Sequence, residues 1–174
     1  GYKINVWDFW LRLSRKINLK CKKMKITKTS KNGIAFIKKY EGFKSKPYLC
    51  PANVPTIGYG ATYYPNGQKV KLTDPAIDEK HASLLLEAML NPYEKAVDSY
   101  CRDDINQNQF DALVSFAYNL GNSALKSSTL LKKANVNPND KTIRDEFLKW
   151  VNAGGKRLPG LVNRRTEESN LYFK

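Results

Sequence analysis

The chain of 174 residues and 19.9 kDa is long enough to bury one domain and short for two, and 41% hydrophobic with 26% charged residues is an ordinary globular composition. A net charge of +14 points to polyanionic partners, among which nucleic acid, anionic lipid, lipopolysaccharide and bacterial wall all qualify. Nucleic acid is the least favoured, because no recognition motif is present and the basic cluster is confined to one end. No apolar run reaches the length of about 18 residues needed to span a membrane. Cys21, Cys50 and Cys101 are too few and too scattered for a disulfide framework or a zinc site. His81 is the lone histidine, which excludes any His-dependent triad that does not run through it. The N-terminal apolar residues are interleaved with charge and lack a small-residue cleavage site, so no cleavable signal peptide is expected.

Residues 1–23 read as a basic amphipathic helix or appendage, and residues 24–174 as the main domain. The first thirty residues hold nine basic side chains against Asp8 alone. Val6, Trp10, Leu13 and Ile17 share a helical face, with Arg12, Arg15, Lys16 and Lys20 supplying charge. Such a helix suits a bilayer interface, and packing on its own domain is the alternative.

Thr29 or Ser30 is the expected N-cap of the next helix. Ile34, Ile37 and Glu41 then stand at i, i+3 and i+7, on one face, and Gly42 suits a left-handed stop. Glu41 is thus either a surface glutamate at a helix end or a carboxylate at the edge of the core, whose neutral form is favoured and which can donate a proton. The following FKSKPYLCPANVP is expected to be loop and irregular strand because of its three prolines. Thr56 to Val70 predicts a small antiparallel sheet with its turn at Pro65-Asn66-Gly67.

Beyond this point the period is helical. Thr73-Asp74-Pro75 is a helix start, with Ile77, His81, Leu84, Leu85 and Ala88 as its stripe and Asn91-Pro92 as its end. On that stripe His81 is expected to be structural. The run NQNQFDALVSFAYNLG predicts a helix with Phe110, Leu113, Ala117 and Leu120 on one side and Gly121 as its stop. Short helices and turns follow over 122–137. A helix capped by Asp140 turns Ile143, Phe147, Trp150 and Val151 inward and stops at Gly154-Gly155. Arg164 and Arg165 pair with Glu167, Glu168 or acids nearer the N-terminus, or simply face solvent. A compact β region after the first helix, followed by helices, makes the fold class α+β.

Three of these segments carry a resemblance. Glu41, eight residues, Cys50, five residues and Thr56, set within YEGF, PYLCPA and TIGYG, resemble the catalytic segment of the phage lysozymes, the glycoside hydrolases of bacteriophage endolysins. QFDALVSFAYNLG is similar to that family's central buried helix, and LPGLVNRR to its closing turn and Arg-Arg helix. The likeness covers residues 29–173. It implies a lysozyme-like fold, with Glu41, Cys50 and Thr56 catalytic, Tyr118 and Asn119 facing a sugar cleft, and no metal or organic cofactor.

Cleavage of a glycosidic bond needs a proton for the leaving oxygen and a group on the opposite face of the sugar. Glu41 fits the first need. Between Gly42 and Thr73 there is no Asp or Glu, and Cys50 takes the place the family gives to Asp or Cys. Its thiol either holds the attacking water or, as a thiolate lowered in pKa with help from Lys44 and Lys46, acts as a base. Thr56 adds a hydroxyl that accepts and donates. The resemblance implies an inverting muramidase, an endolysin that cuts the β-1,4 bond between N-acetylmuramic acid and N-acetylglucosamine in peptidoglycan. It implies a monomer made in the host cytoplasm that reaches periplasmic peptidoglycan after holin-mediated release, with outer-membrane lipid or lipopolysaccharide contact through residues 1–23. The alternatives are a membrane-active cationic protein acting through residues 1–23 and a wall-binding domain without activity. A disulfide from Cys50 to Cys21 or Cys101 would switch the site off.

Overall fold

The computed structural model describes residues 25–174, so the expected N-terminal amphipathic helix and Cys21 lie outside the described residues. Ser30 is extended and its Oγ accepts from the Gly33 N–H at 3.1 Å, which opens helix α1 (Lys31–Glu41) where an N-cap was expected. Ile37 is fully buried and Ile34 packs against the same core, so the stripe that leads to Glu41 faces inward. At Gly42 the backbone turns away with φ 69°.

Strands β1 (Lys44–Leu49) and β2 (Pro55–Gly58) pair antiparallel, with Lys44 opposite Gly58 and Leu49 opposite Pro55. Residues 44–49 are thus the irregular strand, and 50–54 the turn, of the stretch expected to be loop and irregular strand. Pro47 falls in the register irregularity between Lys44 and Tyr48, Pro51 in the turn and Pro55 at a strand start, positions that need no ladder N–H. The sheet expected over 56–70 is correspondingly reduced. Gly58 and Gly60, at φ 66° and 93°, bend the chain out of extension, and the isolated bridges Ile57 to Ala61 and Tyr63 to Lys69 continue the pairing. The expected turn does form, since the Gly67 N–H donates to Tyr64 O and the Tyr64 N–H to Gln68 O, both at 2.9 Å. Ile57, Ala61 and Val70 bury a small apolar cluster beneath this lobe.

Helix α2 (Glu79–Tyr100) starts later and runs further than its sequence predicted. The Ile77 N–H is bonded to Ser45 O at 2.8 Å, which ties residues 73–77 to the hairpin, and Asp78 caps the helix by accepting from the His81 N–H at 2.7 Å. The inward stripe is Ala82, Leu86, Leu90 and Val97, one register away from the expected one, and Leu84 and His81 face outward. His81, expected on the packed stripe, is instead exposed, with its Nδ1 2.7 Å from Asp78 Oδ1. Pro92 does not end the helix. It and Ala88, four residues before it, are on the exposed side, where a missing i→i−4 bond is tolerated.

Helix α3 (Gln107–Leu120) opens on a reciprocal cap between Asn106 and Gln109 and ends at Gly121 with φ 94°. It is buried on every side from Gln109 to Ala117 rather than on one face, because α1, α2 and the C-terminal helix all pack on it. Helices α4 (Asn122–Ser127), α5 (Thr129–Val136) and α6 (Ile143–Leu148) close the core around Leu125, Leu130, Ile143 and Phe147. Asp140 bonds the turn at Thr142 instead of capping α6, and Gly154-Gly155 make a hairpin instead of a helix stop. That hairpin pairs β3 (Asn152–Ala153) with β4 (Lys156–Arg157), and both glycines have positive φ, 56° and 73°. Helix α7 (Pro159–Tyr172) then crosses α3 and brings Arg164 and Arg165 inside.

Candidate active site

Glu41 is the last residue of α1, presented where the helix leaves the core, with its side chain 21% exposed. Its surroundings are not apolar alone. Arg164 Nη1 donates to Glu41 Oε1 at 2.8 Å, and Arg164 is itself buried, with its guanidinium over the Tyr40 ring at 5.3 Å. The expected solvated face for Arg164 and Arg165 is therefore overturned: their exposures are 4% and 0%. Two guanidinium groups are held inside because carboxylates meet them there.

Gly60 forms the opposite wall. A side chain there would lie 3.5 Å from Tyr118 Oη and 3.7 Å from Glu41 Oε2, so the backbone at φ 93° leaves open the space beside the carboxylate. The Tyr118 hydroxyl donates to Tyr59 O at 3.0 Å, and burial, followed by the Glu41 charge, pushes its pKa up. Tyr118 thus fixes the wall of the recess to α3. The Asn119 Oδ1 accepts from Arg165 Nη2 at 2.8 Å, which commits its carbonyl and leaves its amide N–H groups as donors.

Cys50 and Thr56 belong to the hairpin. The Cys50 N–H donates to Val54 O at 3.0 Å and the Asn53 N–H to Cys50 O at 2.8 Å, forming a tight turn in which Asn53 takes φ 60°. The turn aims the Val54 and Ala52 N–H groups at the thiol, and with the Thr56 hydroxyl they hold its pKa below the ordinary cysteine value. Lys44 and Lys46 are not among the causes, so backbone donors rather than charge make this thiol acidic. Thr56 is buried, with Oγ1 2.9 Å from Val54 O. Tyr48 links the two halves. Burial first, then the nearby Cys50 and Glu41, raise the pKa of its hydroxyl.

Cys50 and Cys101 are both free. Cys101 lies buried under α2, and burial pushes its thiol up to about 12. A recess of about 460 Å³ lies between Thr62 to Pro65 on one side and Leu85, Met89 and Tyr93 of α2 on the other, and the Tyr93 ring meets that of Tyr118 at 5.2 Å. Among the described residues no helix is long and apolar enough to cross a membrane.

A carboxylate at a helix end beside a space that a glycine leaves open, in a mostly helical lobe next to a small antiparallel one that carries an acidic thiol, defines a lysozyme-like protein. The chain belongs to the phage lysozyme family, whose pattern matches residues 38–168. It is 44% identical over 149 residues to the endolysin of Bacillus phage B103, covering 83% of this chain and 53% of that protein. It is 39% identical over 144 residues to the endolysin of Salmonella phage P22, covering 83% of this chain and 97% of that one. The chain thus spans about half the length of one curated relative and nearly all of another. Among solved structures, a mutant of P22 lysozyme superposes with a TM-score of 0.77 at 36% identity, over 86% of this chain and all of that one. The muramidase domain of SpmX from Asticaccaulis excentricus gives 0.72 at 30% identity, over 84% and 98%.

Of the readings offered for Arg164 and Arg165, pairing with Glu168 and with an acid nearer the N-terminus is the one that holds, while Gly60 as the wall and Ser115 behind the pair were missed. The signal for Arg164 was present in part, since a charged pair followed by Glu168 at i+4 and i+3 in a helix that also carries inward apolar residues need not face solvent.

Proposed function

We propose that this protein is an endolysin-type muramidase that hydrolyses the β-1,4 bond between N-acetylmuramic acid and N-acetylglucosamine in peptidoglycan. What supports the reading is Glu41, held by Arg164 at 2.8 Å beside the space that Gly60 leaves open, with Tyr48 near both Glu41 and Cys50 and with Cys50 and Thr56 on one hairpin. Glu41 donates its proton to the leaving glycosidic oxygen. The acidic Cys50 thiol and the Thr56 hydroxyl hold a water on the other face of the sugar, and the thiolate accepts the proton that the water loses as it attacks. Attack by water without a glycosyl-enzyme inverts the anomeric centre. Tyr118 supplies an aromatic wall, and the free N–H groups of Asn119 donate to a sugar acetamide.

A wall of carbohydrate bearing acidic peptides matches a protein of charge +14. The protein acts as a monomer, made in the host cytoplasm and admitted to the wall once a holin opens the inner membrane. Residues 1–23 add contact with anionic outer-membrane lipid or lipopolysaccharide.

The test is reducing-end release from purified peptidoglycan by the full chain, by Glu41→Gln and by a version starting at Met24. Glu41→Gln is expected to lose about 100-fold or more, and the shortened version to keep its rate on naked wall. Muramic acid at the new reducing ends, released first as the α-anomer, supports both the specificity and the inversion. Release by Glu41→Gln at the parent's rate would overturn the assignment.

A further inference from the structure

Glu168 has no part in the chemistry described so far, yet it is fully buried at the junction of α3 and α7. Its Oε1 accepts from Ser115 Oγ at 2.7 Å, from Arg165 Nη2 at 3.0 Å and from Arg164 Nε at 3.2 Å. The far end of the same Arg164 guanidinium is the Nη1 that holds Glu41. A guanidinium is planar and rigid, so anchoring Nε fixes where Nη1 points. Arg165, fully buried one residue further on, brings a second positive charge, with its Nε 2.8 Å from Glu168 Oε2. Two guanidinium groups and two carboxylates therefore share one buried site.

We propose that Glu168 is a positioning residue for the cleavage reaction: it aims Arg164 at Glu41 and balances the charge that Arg165 adds beside it. The proposal rests on Glu41 being the proton donor. Without Glu168, both guanidinium charges would fall on Glu41 in a site where little water screens them. Burial pushes the Glu168 carboxyl up and the Arg165 guanidinium down, and the charge of each opposes the effect on the other, as expected of mutual dependence. Among the described residues, Glu168 and Arg164 act on Tyr40 of α1, which also meets Glu167, Glu41 and Arg164 act on Tyr118 of α3, and Glu41 acts on Tyr48 of β1. None of these tyrosines carries a positive charge, so none can replace what Arg164 and Arg165 do.

The test is the pH profile of sugar-end release by the full chain, with Glu168→Gln, Arg165→Gln and the double variant, and Glu41→Gln alongside. A proton donor is active while protonated, so activity falls as the pH rises through its titration. Glu168→Gln removes a negative charge from beside Arg164 and is expected to move the high-pH limb down by about one unit, with kcat falling and KM within about twofold. Arg165→Gln removes a positive charge and moves the limb up, and the double variant returns it to the parent's position. If Glu168→Gln does not fold, Arg165→Gln carries the test, because its shift has the opposite sign and loss of stability alone produces neither. Limbs that stay at the parent's position in folded variants would overturn the proposal. Inactive Glu41→Gln with unmoved limbs sinks this inference alone, whereas fully active Glu41→Gln sinks the functional reading beneath it.

Discussion

Gly33→Ala is expected to destabilise this protein, although glycine to alanine inside a helix normally stabilises. Gly33 lies in the first turn of α1, directly against the buried Asp111 of α3. A methyl group there would stand 2.6 Å from Asp111 Cγ, 2.6 Å from Thr29 Cγ2 and 2.8 Å from Asp111 Oδ2. Asp111 cannot withdraw cheaply. Its Oδ1 accepts from the Ser30 N–H at 2.9 Å and from Gln107 Nε2 at 2.8 Å, and its Oδ2 accepts a short bond from Ser30 Oγ. Overpacking costs about 1–3 kcal/mol and a loosened buried bond about 1 kcal/mol more. The gain in helix propensity offsets about 1 kcal/mol of this. The net loss is about 1–3 kcal/mol, a fall in Tm of about 3–10 °C for a chain of this size. Gly160→Ala in the first turn of α7 is the control, because nothing lies within 4 Å of its added carbon. Thermal unfolding followed by circular dichroism should show Gly33→Ala well below the parent and Gly160→Ala level with it or slightly above. A Gly33→Ala Tm at or above the parent's would refute the argument that Asp111 is held rigidly against this helix.

Thiol alkylation against pH in a Cys21→Ser background should show two populations. Cys50 reacts with a midpoint below that of a free cysteine, since its thiolate is favoured as the pH rises through a lowered pKa, and Cys101, buried with its thiol near 12, reacts on unfolding. Equal rates for the two would contradict the turn's effect on Cys50. Phe116→Ala removes a fully buried ring that meets Phe147 at 5.9 Å and Trp150 at 5.4 Å and lies 5.2 Å from the Arg165 guanidinium. It should cost about 3–5 kcal/mol in urea unfolding. His81→Ala should leave both turnover and stability within about 0.5 kcal/mol of the parent, because the ring is exposed and touches Asp78 alone among its recorded partners. A large loss of activity would reopen a catalytic role for this histidine.

What the sequence made legible follows from how local the physics is. The cap at Ser30, the stop at Gly42 and the carboxylate between α1 and the hairpin are written in short-range pattern, and they stand where that pattern puts them. Helix α2 misled because its start depends on a distant contact. The bond from the Ile77 N–H to Ser45 O keeps residues 73–77 out of the helix, and a late start shifts the whole stripe. Pro92 misled because a proline break is costly inside a core and tolerable on an exposed side. Arg165 could not be read as buried from its charge. Its carboxylate, its amide partner and its aromatic neighbour come from Glu168, Asn119 and Phe116, and two of these are on another helix.

The two halves of the cleft are mounted on different bodies. Glu41 is fastened at both ends of α1 to the same helix: Asp111 of α3 grips its first turn, and Ser115 of α3 reaches its last residue through Glu168 and Arg164. Cys50 and Thr56 ride on a two-stranded hairpin whose support is the first half of α2. Glu41 therefore has a fixed address, while its spacing to Cys50 and Thr56 is set by how the hairpin leans. Changes confined to the hairpin can move residues 50 and 56 without disturbing Glu41, which gives this architecture room to exchange the group at residue 50 and keep the helical side as it is.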